Sequence, residues 1–377
     1  MTDRAKLIIA DSEHHADMLY AAGIFVPDPF IAAAIGGEWH GLFSTLEVDR
    51  ARKHARFDQV HLDQPWRQQA QTLGFGEGLA ATAAAFLRHH GIRSIDVPGD
   101  FPLRYADQLR QWGFELRALN GSMFPEREIK QPWEIEQLRK AERLTRQAMA
   151  EARRFLAECT IEAHGFLRHC CVRGRVRADD LRRVIECALV ARGAMPAHTI
   201  VACGRQGADP HNIGRGLLRA HEPIIIDIFP RLLASGYWGD MTRTFVKGSA
   251  SERVQRMYQA VRAAQALGLS MVRAGVNARE IHAAILDHFR AAGFTTGSRR
   301  GRQVGFIHGT GHGVGLEIHE APRVSRCDQT LRTGHVITIE PGLYYPDVGG
   351  VRLEDLVVVT EDGHENLTRY PCRLEVP

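Results

Sequence analysis

Apolar and polar positions divide this chain into two regimes. In the first third, short apolar runs alternate with stretches of helical spacing. LIIA (7–10) and the apolar stretch around Ile24–Val26 read as strands. GEGLAATAAAFLRHHG (76–91) reads as an Ala-rich helix ended by a glycine. SIDVPGD (94–100) reads as strand and turn, and YADQLRQWGFELRALNG (105–121) as helix, glycine and strand. Such alternation predicts an α/β domain. No catalytic constellation falls within it.

A boundary is expected near residues 122–131, giving an N-terminal α/β domain over 1–125 and a second domain over 126–377. Pro132 suits a first helical position. Ile135, Leu138, Ala141, Leu144 and Ala148 then recur at helical spacing, so a long amphipathic helix opens the second domain. Further helices are predicted over Ala178–Arg192, Glu252–Ala274 and Ala278–Ala292. HTIVACGRQGADPHNIGRG reads as a strand running into a Gly-rich loop, and strands dominate from residue 224 onward.

A loose internal echo runs through those strands. IIIDIFPRLLASGYWGDMTRTFV carries Asp227 and Asp240, and VITIEPGLYYPDVGGVRLEDLVVV carries Glu340 and Glu354. Each segment reads as a hairpin with one acid per arm. Facing hairpins would bring four carboxylates to one point, the geometry that a pair of divalent cations requires. An acid after three isoleucines is costly to bury alone, which argues against Asp227 being a mere turn residue. For Glu354 the competing reading is an ion pair with Arg352. Thr242, on the same strand face as Asp240, is placed to hydrogen-bond a ligand carboxylate. HGTGHGVGLEIHE (308–320) supplies His308, His312 and His319 in a Gly-rich frame that permits close backbone approach. Imidazole is a common metal ligand, so His312 joins the four acids. Four carboxylates and one imidazole suit manganese, cobalt or zinc better than a thiolate cage would. His211, in DPHNIGRG, is a weaker candidate, and His14, His15, His89 and His90 read as surface residues.

Composition excludes more than it proposes. The chain has 377 residues, 44% hydrophobic and 24% charged, which fits a globular protein of two domains. A formal net charge of +4 is carried by dispersed arginines rather than a stripe, so no nucleic-acid partner is expected. No apolar run reaches membrane-spanning length, and MTDRAKLIIADSEHH is unlike a secretory signal, so a cytoplasmic location is expected and no membrane partner. Seven cysteines form no C-x-x-C pair, which suits a reducing compartment. Cys159 and Cys187 lie in helical apolar patterns as small hydrophobes.

Taken together, GDMTRTF, HGTGHGVGLEIHE, EPGLY and VRLED resemble the pita-bread metallopeptidases, a family that includes methionine aminopeptidase, prolidase and aminopeptidase P. The resemblance covers residues 126–377 strongly. It implies an α+β pita-bread catalytic domain behind a creatinase-like N-terminal domain. It also implies two divalent metal ions per subunit, manganese foremost, with cobalt or zinc as alternatives. By position, Asp240 and Glu354 resemble the bridging ligands, Asp227 the ligand private to one metal, and His312 and Glu340 those private to the other. His211 resembles a substrate-contacting histidine, His319 the one near the scissile carbonyl, His308 a supporting one, and Arg352 an arginine that positions substrate. Glu340 resembles the proton shuttle. The stretch between Asp227 and Asp240 is longer than in many members. An intact ligand set with an N-terminal domain is similar to prolidase and aminopeptidase P, in which that domain contributes to dimer contacts and restricts access. The implied partners are proline-containing dipeptides or short peptides, with Xaa-Pro dipeptides preferred over longer ones, and a second copy of the chain in a homodimer. Arg299, Arg300 and Arg302 are candidates for a carboxylate clamp. An inactive binding module or a creatinase-like amidinohydrolase would lack this ligand set.

Overall fold

A computed structural model describes residues 4–377. The chain divides into two compact units, the first ending at Arg127 and the second beginning at Glu128.

The first unit holds β1 (Ala5–Ala10), α1 (Ala16–Ala22), β2 (Phe30–Ile35), β3 (Glu38–Phe43), α2 (Val48–His54), β4 (Gln59–Leu62), α3 (Gln64–Thr72), α4 (Leu79–His89), β5 (Ser94–Val97), α5 (Leu103–Gln111) and β6 (Glu115–Ala118). Its six strands form one mixed sheet in the order β4-β3-β2-β1-β5-β6. Alternate residues of β1 serve opposite cores: Leu7 and Ile9 pack with Ala84 and Leu109, whereas Ile8 packs with Met18 and Ala51. Helices therefore cover both faces, as the α/β pattern implies. Ile24–Val26 is not a strand. Its polar backbone is consumed locally: Val26 N–H donates to Ser12 Oγ at 2.7 Å, and Ser12 Oγ donates to the Ile24 carbonyl at 2.7 Å.

The second unit opens with α6 (Pro132–Glu158), whose Pro132 does occupy the first turn. A two-stranded hairpin follows, β7 (Thr160–Ile161) with β8 (Leu167–Arg168), then α7 (Ala178–Val190), β9 (Ala194–Met195) and β10 (Ile200–Cys203). Next come β11 (Ile224–Ile228), β12 (Arg231–Leu232), β13 (Met241–Lys247), α8 (Glu252–Met271) and α9 (Ala278–Ala291). The chain continues through β14 (Gly297–Arg299), β15 (Arg302–Val304), β16 (Gly311–Gly313), β17 (Glu320–Val324), β18 (Val336–Ile339), β19 (Gly342–Tyr345), β20 (Gly349–Arg352), β21 (Asp355–Val359), β22 (His364–Asn366) and β23 (Glu375–Val376). Two sheets dominate, β10-β11-β13-β23 and β17-β16-β18-β21-β22. Residues of α6 and α7 share a core with the first, and residues of α8 and α9 share one with the second. The internal echo thus has a structural counterpart, a sheet with a helix pair repeated. Cys187 departs from expectation: it is exposed on α7, while Cys159 is buried.

Both predicted hairpins form, with adjustments at the acids. β11 pairs antiparallel with β13, which sets Asp227 opposite Thr242. Asp240 lies just outside β13 rather than on it. The long connection is not loose, because its β12 pairs with β9. The second hairpin is broken in two: β18 pairs with β21, and beyond them β19 pairs with β20. Glu340 and Glu354 occupy the joints, where the ladder is interrupted and side chains turn inward.

Candidate metal centre

The hairpins meet where β13 runs beside β20 and the start of β21. Glu354 N–H donates to the Thr242 carbonyl at 3.1 Å. Thr244 Oγ1 links to the Arg352 backbone at 3.0 Å on both its amide and its carbonyl. These contacts bring together acids more than a hundred residues apart. A cavity of about 520 Å³ opens above them, lined by Asp227, Asp240, His312, Glu340 and Glu354, and also by His211, His308, His319 and Arg352. All nine residues singled out from the sequence therefore face one space.

His312 is placed by its glycines. A Cβ at Gly311 would lie 1.8 Å from the Thr338 carbonyl oxygen, and one at Gly313 would lie 2.2 Å from that of Ala321. No other residue permits that approach, which lets β16 sit tightly between β17 and β18. His312 Nδ1 lies 3.1 Å from the Gly313 carbonyl. A carbonyl accepts only, so Nδ1 carries the proton and Nε2 presents its lone pair. That lone pair faces Asp240 Oδ2 at 3.6 Å and Glu340 Oε1 at 3.5 Å. Donor atoms of Asp240, His312 and Glu354 lie within 4.8 Å of one another, all buried. The imidazole itself is kept neutral, burial pushing His312 down to about 3.

Charge in the cavity is unbalanced. Burial first, then repulsion from Glu354, Asp227 and Glu340, pushes Asp240 well above the usual carboxylate range. Burial and the charges of Glu340 and Asp227 do the same to Glu354. Burial carries Glu340 up to about 7. The buried cation in the cavity wall, Arg352, pairs with one acid of the four: it donates to Asp227 Oδ2 at 2.7 Å, and further to Thr242 Oγ1 at 3.1 Å and to Tyr344 Oη at 3.0 Å. The Glu354–Arg352 pair entertained from the sequence is thus replaced by Asp227–Arg352. Glu354 Oε2 instead accepts from Thr242 Oγ1 at 2.7 Å, the role expected of that threonine. Asp227 Oδ1 is buried without a hydrogen-bond partner. An orphaned carboxylate oxygen, a directed imidazole lone pair and several like charges fit a divalent cation, which would satisfy all of them together.

Around this centre, His319 meets His312 edge-on, with ring centroids 4.4 Å apart. His211 is exposed at the rim. His308 accepts from Tyr344 Oη at 2.8 Å through Nε2, and burial lowers it to about 3. Arg299, Arg300 and Arg302 do not line the cavity; they are exposed on the β14–β15 hairpin and its turn. Arg323 lines it instead. Sequence reasoning also missed Glu142, whose Oε2 accepts the Asp240 N–H at 3.0 Å. Burial pushes Glu142 up to about 7. Its signal was an acid at helical spacing with Leu138 and Met149, on the face of α6 that is buried.

The chain matches metallopeptidase family M24 over residues 136–361. It is 39% identical over 173 residues to a Xaa-Pro dipeptidase of Pyrococcus furiosus, a stretch covering 45% of this chain and 47% of that one, so the match spans about half the relative's length. It is 32% identical over 322 residues to a Mycobacterium tuberculosis protein named "Probable dipeptidase PepE", covering 85% of this chain and 76% of that one. Among solved structures, the prolidase from Pyrococcus horikoshii superposes with a TM-score of 0.78 at 25% identity, covering 98% of this chain and 95% of that one. Fold and sequence agree over the second unit and its pita-bread core: the chain belongs to metallopeptidase family M24.

Proposed function

We propose that this chain is a dinuclear-metal peptidase that hydrolyses the bond before proline, with Xaa-Pro dipeptides as preferred substrates. The observation that carries the reading is the convergence of four carboxylates and the His312 Nε2 lone pair on one cavity, with Arg352 already paired to Asp227. Asp227, Asp240, His312, Glu340 and Glu354 would hold two divalent cations of the manganese, cobalt or zinc kind, manganese foremost. Divalent cations held there would contribute Lewis acidity, making water more acidic and the scissile carbonyl more electrophilic.

The chain's own residues do the rest. Glu340, at the joint between β18 and β19 on the cavity wall, is placed to take the proton of the attacking water and return it to the leaving proline nitrogen. His319 stands at the cavity wall as a donor to the carbonyl oxygen as its charge develops. His211 and His308 flank the substrate. Arg352 acts by positioning Asp227 and Thr242 rather than by reaching outward. Arg323 takes the carboxylate-reading role once considered for Arg299, Arg300 and Arg302, because it faces the cavity and they do not.

One observation favours a second reading, an aminopeptidase that accepts longer peptides. A neighbouring hollow of about 480 Å³, lined by His282, Gln303, Phe306 and Arg326, shares Ile307, His308, Gly309 and Ser325 with the first cavity. Parallel incubation of the Mn²⁺-loaded protein with Ala-Pro and Ala-Pro-Ala separates the two. Cleavage of the dipeptide alone is expected. Cleavage of the tripeptide would establish the aminopeptidase, and cleavage of neither would overturn the substrate class. A homodimer and a cytoplasmic location belong to the same proposal, the first checked by light scattering. Among the described residues no helix is long and apolar enough to cross a membrane.

A further inference from the structure

Outside the carboxylate cavity, three donors of another chemical kind gather on the turn that follows β8. His169 is buried, and Cys170 and Cys171 are exposed. The imidazole is locked in place. It stacks on Phe155 of α6, with centroids 4.1 Å apart and planes inclined by 13°, and its Nε2 lies 3.2 Å from Glu158 Oε2. A carboxylate at Nε2 puts the proton there and leaves the lone pair on Nδ1, the arrangement that orients metal-binding histidines. Consistently, Nδ1 accepts the Cys171 N–H at 3.1 Å. Cys170 Sγ lies 3.9 Å from Nδ1 and 3.7 Å from Cys171 Sγ. All three donor atoms fall within 4.8 Å of one another.

Those separations match the edges of a tetrahedron. With Zn–S near 2.3 Å and Zn–N near 2.05 Å, tetrahedral angles place two sulfurs about 3.8 Å apart and a sulfur and nitrogen about 3.6 Å apart. We propose that His169, Cys170 and Cys171 form a second metal site that takes a thiophilic cation of the Zn²⁺ class, with the fourth position open to water. Thiolates and imidazole select such ions, whereas the carboxylate cavity suits harder ones. Binding releases the two thiol protons to solvent and exchanges the Cys171 N–H bond on Nδ1 for a metal bond. The neighbouring Cys159 takes no part: it is buried, its thiol donates to the Phe155 carbonyl, and burial pushes it up to about 11. The bound ion would tie the turn to the end of α6 through His169.

The test uses the full chain, reduced, stripped of metal and then given saturating Mn²⁺ to fill the carboxylates. Titration with Cd²⁺ is expected to raise a thiolate-to-metal charge-transfer band that saturates at one equivalent. Combining Cys170→Ser with Cys171→Ser should abolish the band, and His169→Ala should weaken Cd²⁺ affinity at least about tenfold. Mn²⁺-supported peptidase activity and circular dichroism should not change in the cysteine variant. An unaltered band in that variant would assign it to the exposed Cys187 and Cys327 and overturn the proposal. Zinc-edge absorption on the parent protein is independent of any variant. Two sulfur neighbours and one nitrogen are expected, and an oxygen-only shell would refute the site.

Discussion

Asp96, on β5 of the first unit, and Asp240, just before β13 of the second, are both buried aspartates, yet their surroundings drive them in opposite directions. Burial alone would raise Asp96, but two guanidiniums more than offset it: Arg4 Nε donates at 2.9 Å and Arg117 Nη2 at 2.6 Å, so its carboxyl sits below the usual range. Asp240 is buried among Glu354, Asp227 and Glu340 and is pushed well above that range. The cations near it have other partners, Arg352 on Asp227 and Arg243 on Asp355. One region balances its acids with guanidiniums of its own, and the other leaves Asp240 and Glu354 to be neutralised by protons or by a bound cation.

The strongest way to break this contrast is Glu340→Gln. At saturating Mn²⁺, kcat/KM on Ala-Pro should fall about 10²–10⁴-fold, as removal of an acid–base group does. A correctly folded variant as fast as the parent would show that the cluster is not the reaction centre.

In the balanced region, Arg127→Met should cost about 3 kcal/mol, because it takes the cation from the buried Asp17 carboxylate and leaves it only the Met123 amide and the Ser122 hydroxyl. Urea unfolding measures it. A loss below about 1 kcal/mol would place this pair with the surface bridges that contribute little.

Thr242→Val sharpens the comparison by removing the Glu354 hydrogen bond while keeping shape. Metal affinity, followed by competitive chelation, should drop about 10–100-fold. Equal affinity would mean that Glu354 needs no orienting partner.

The most diagnostic effect is one whose sign differs between the regions. Glu340 is raised from 4.5 to about 7 in the folded, metal-free protein. Between those values the native state binds more protons than the unfolded one, so stability falls as pH rises, by at most about 1.4 kcal/mol per pH unit per group. Asp96, held low, contributes stability above the usual carboxylate range and loses it as pH falls through its depressed value. Thermal midpoints taken with and without chelator should therefore decline from pH 4.5 to 7 only in the metal-free protein, since bound Mn²⁺ keeps the carboxylates ionised. Parallel curves would contradict the reading of an unbalanced cluster.

Much of the second unit was legible because its signals are local. Pro132 marked the start of α6, isoleucine runs marked the buried strands, and the glycines flanking His312 announced a crowded backbone. In the first unit α1, β2, β3, α2, β4 and α3 escaped notice, and Ile24–Val26 was misread. Short apolar runs do not reveal whether their backbone groups will join a ladder or, as at Val26, bond to a serine side chain.

The sequence by itself determined the chemistry on offer: four carboxylates in stretches too apolar to tolerate a lone charge, and a histidine in a Gly-rich frame. Which charges meet was decided by tertiary structure alone. Arg352 reaches Asp227 across 125 positions, Thr242 reaches Glu354 across 112, and Glu142 reaches the Asp240 amide across 98. Arg323 faces the cavity, while the more conspicuous Arg299, Arg300 and Arg302 do not. Periodicity assigns a side chain to a face of its own element. Convergence depends on how distant strands pair and stack, and no local pattern encodes that.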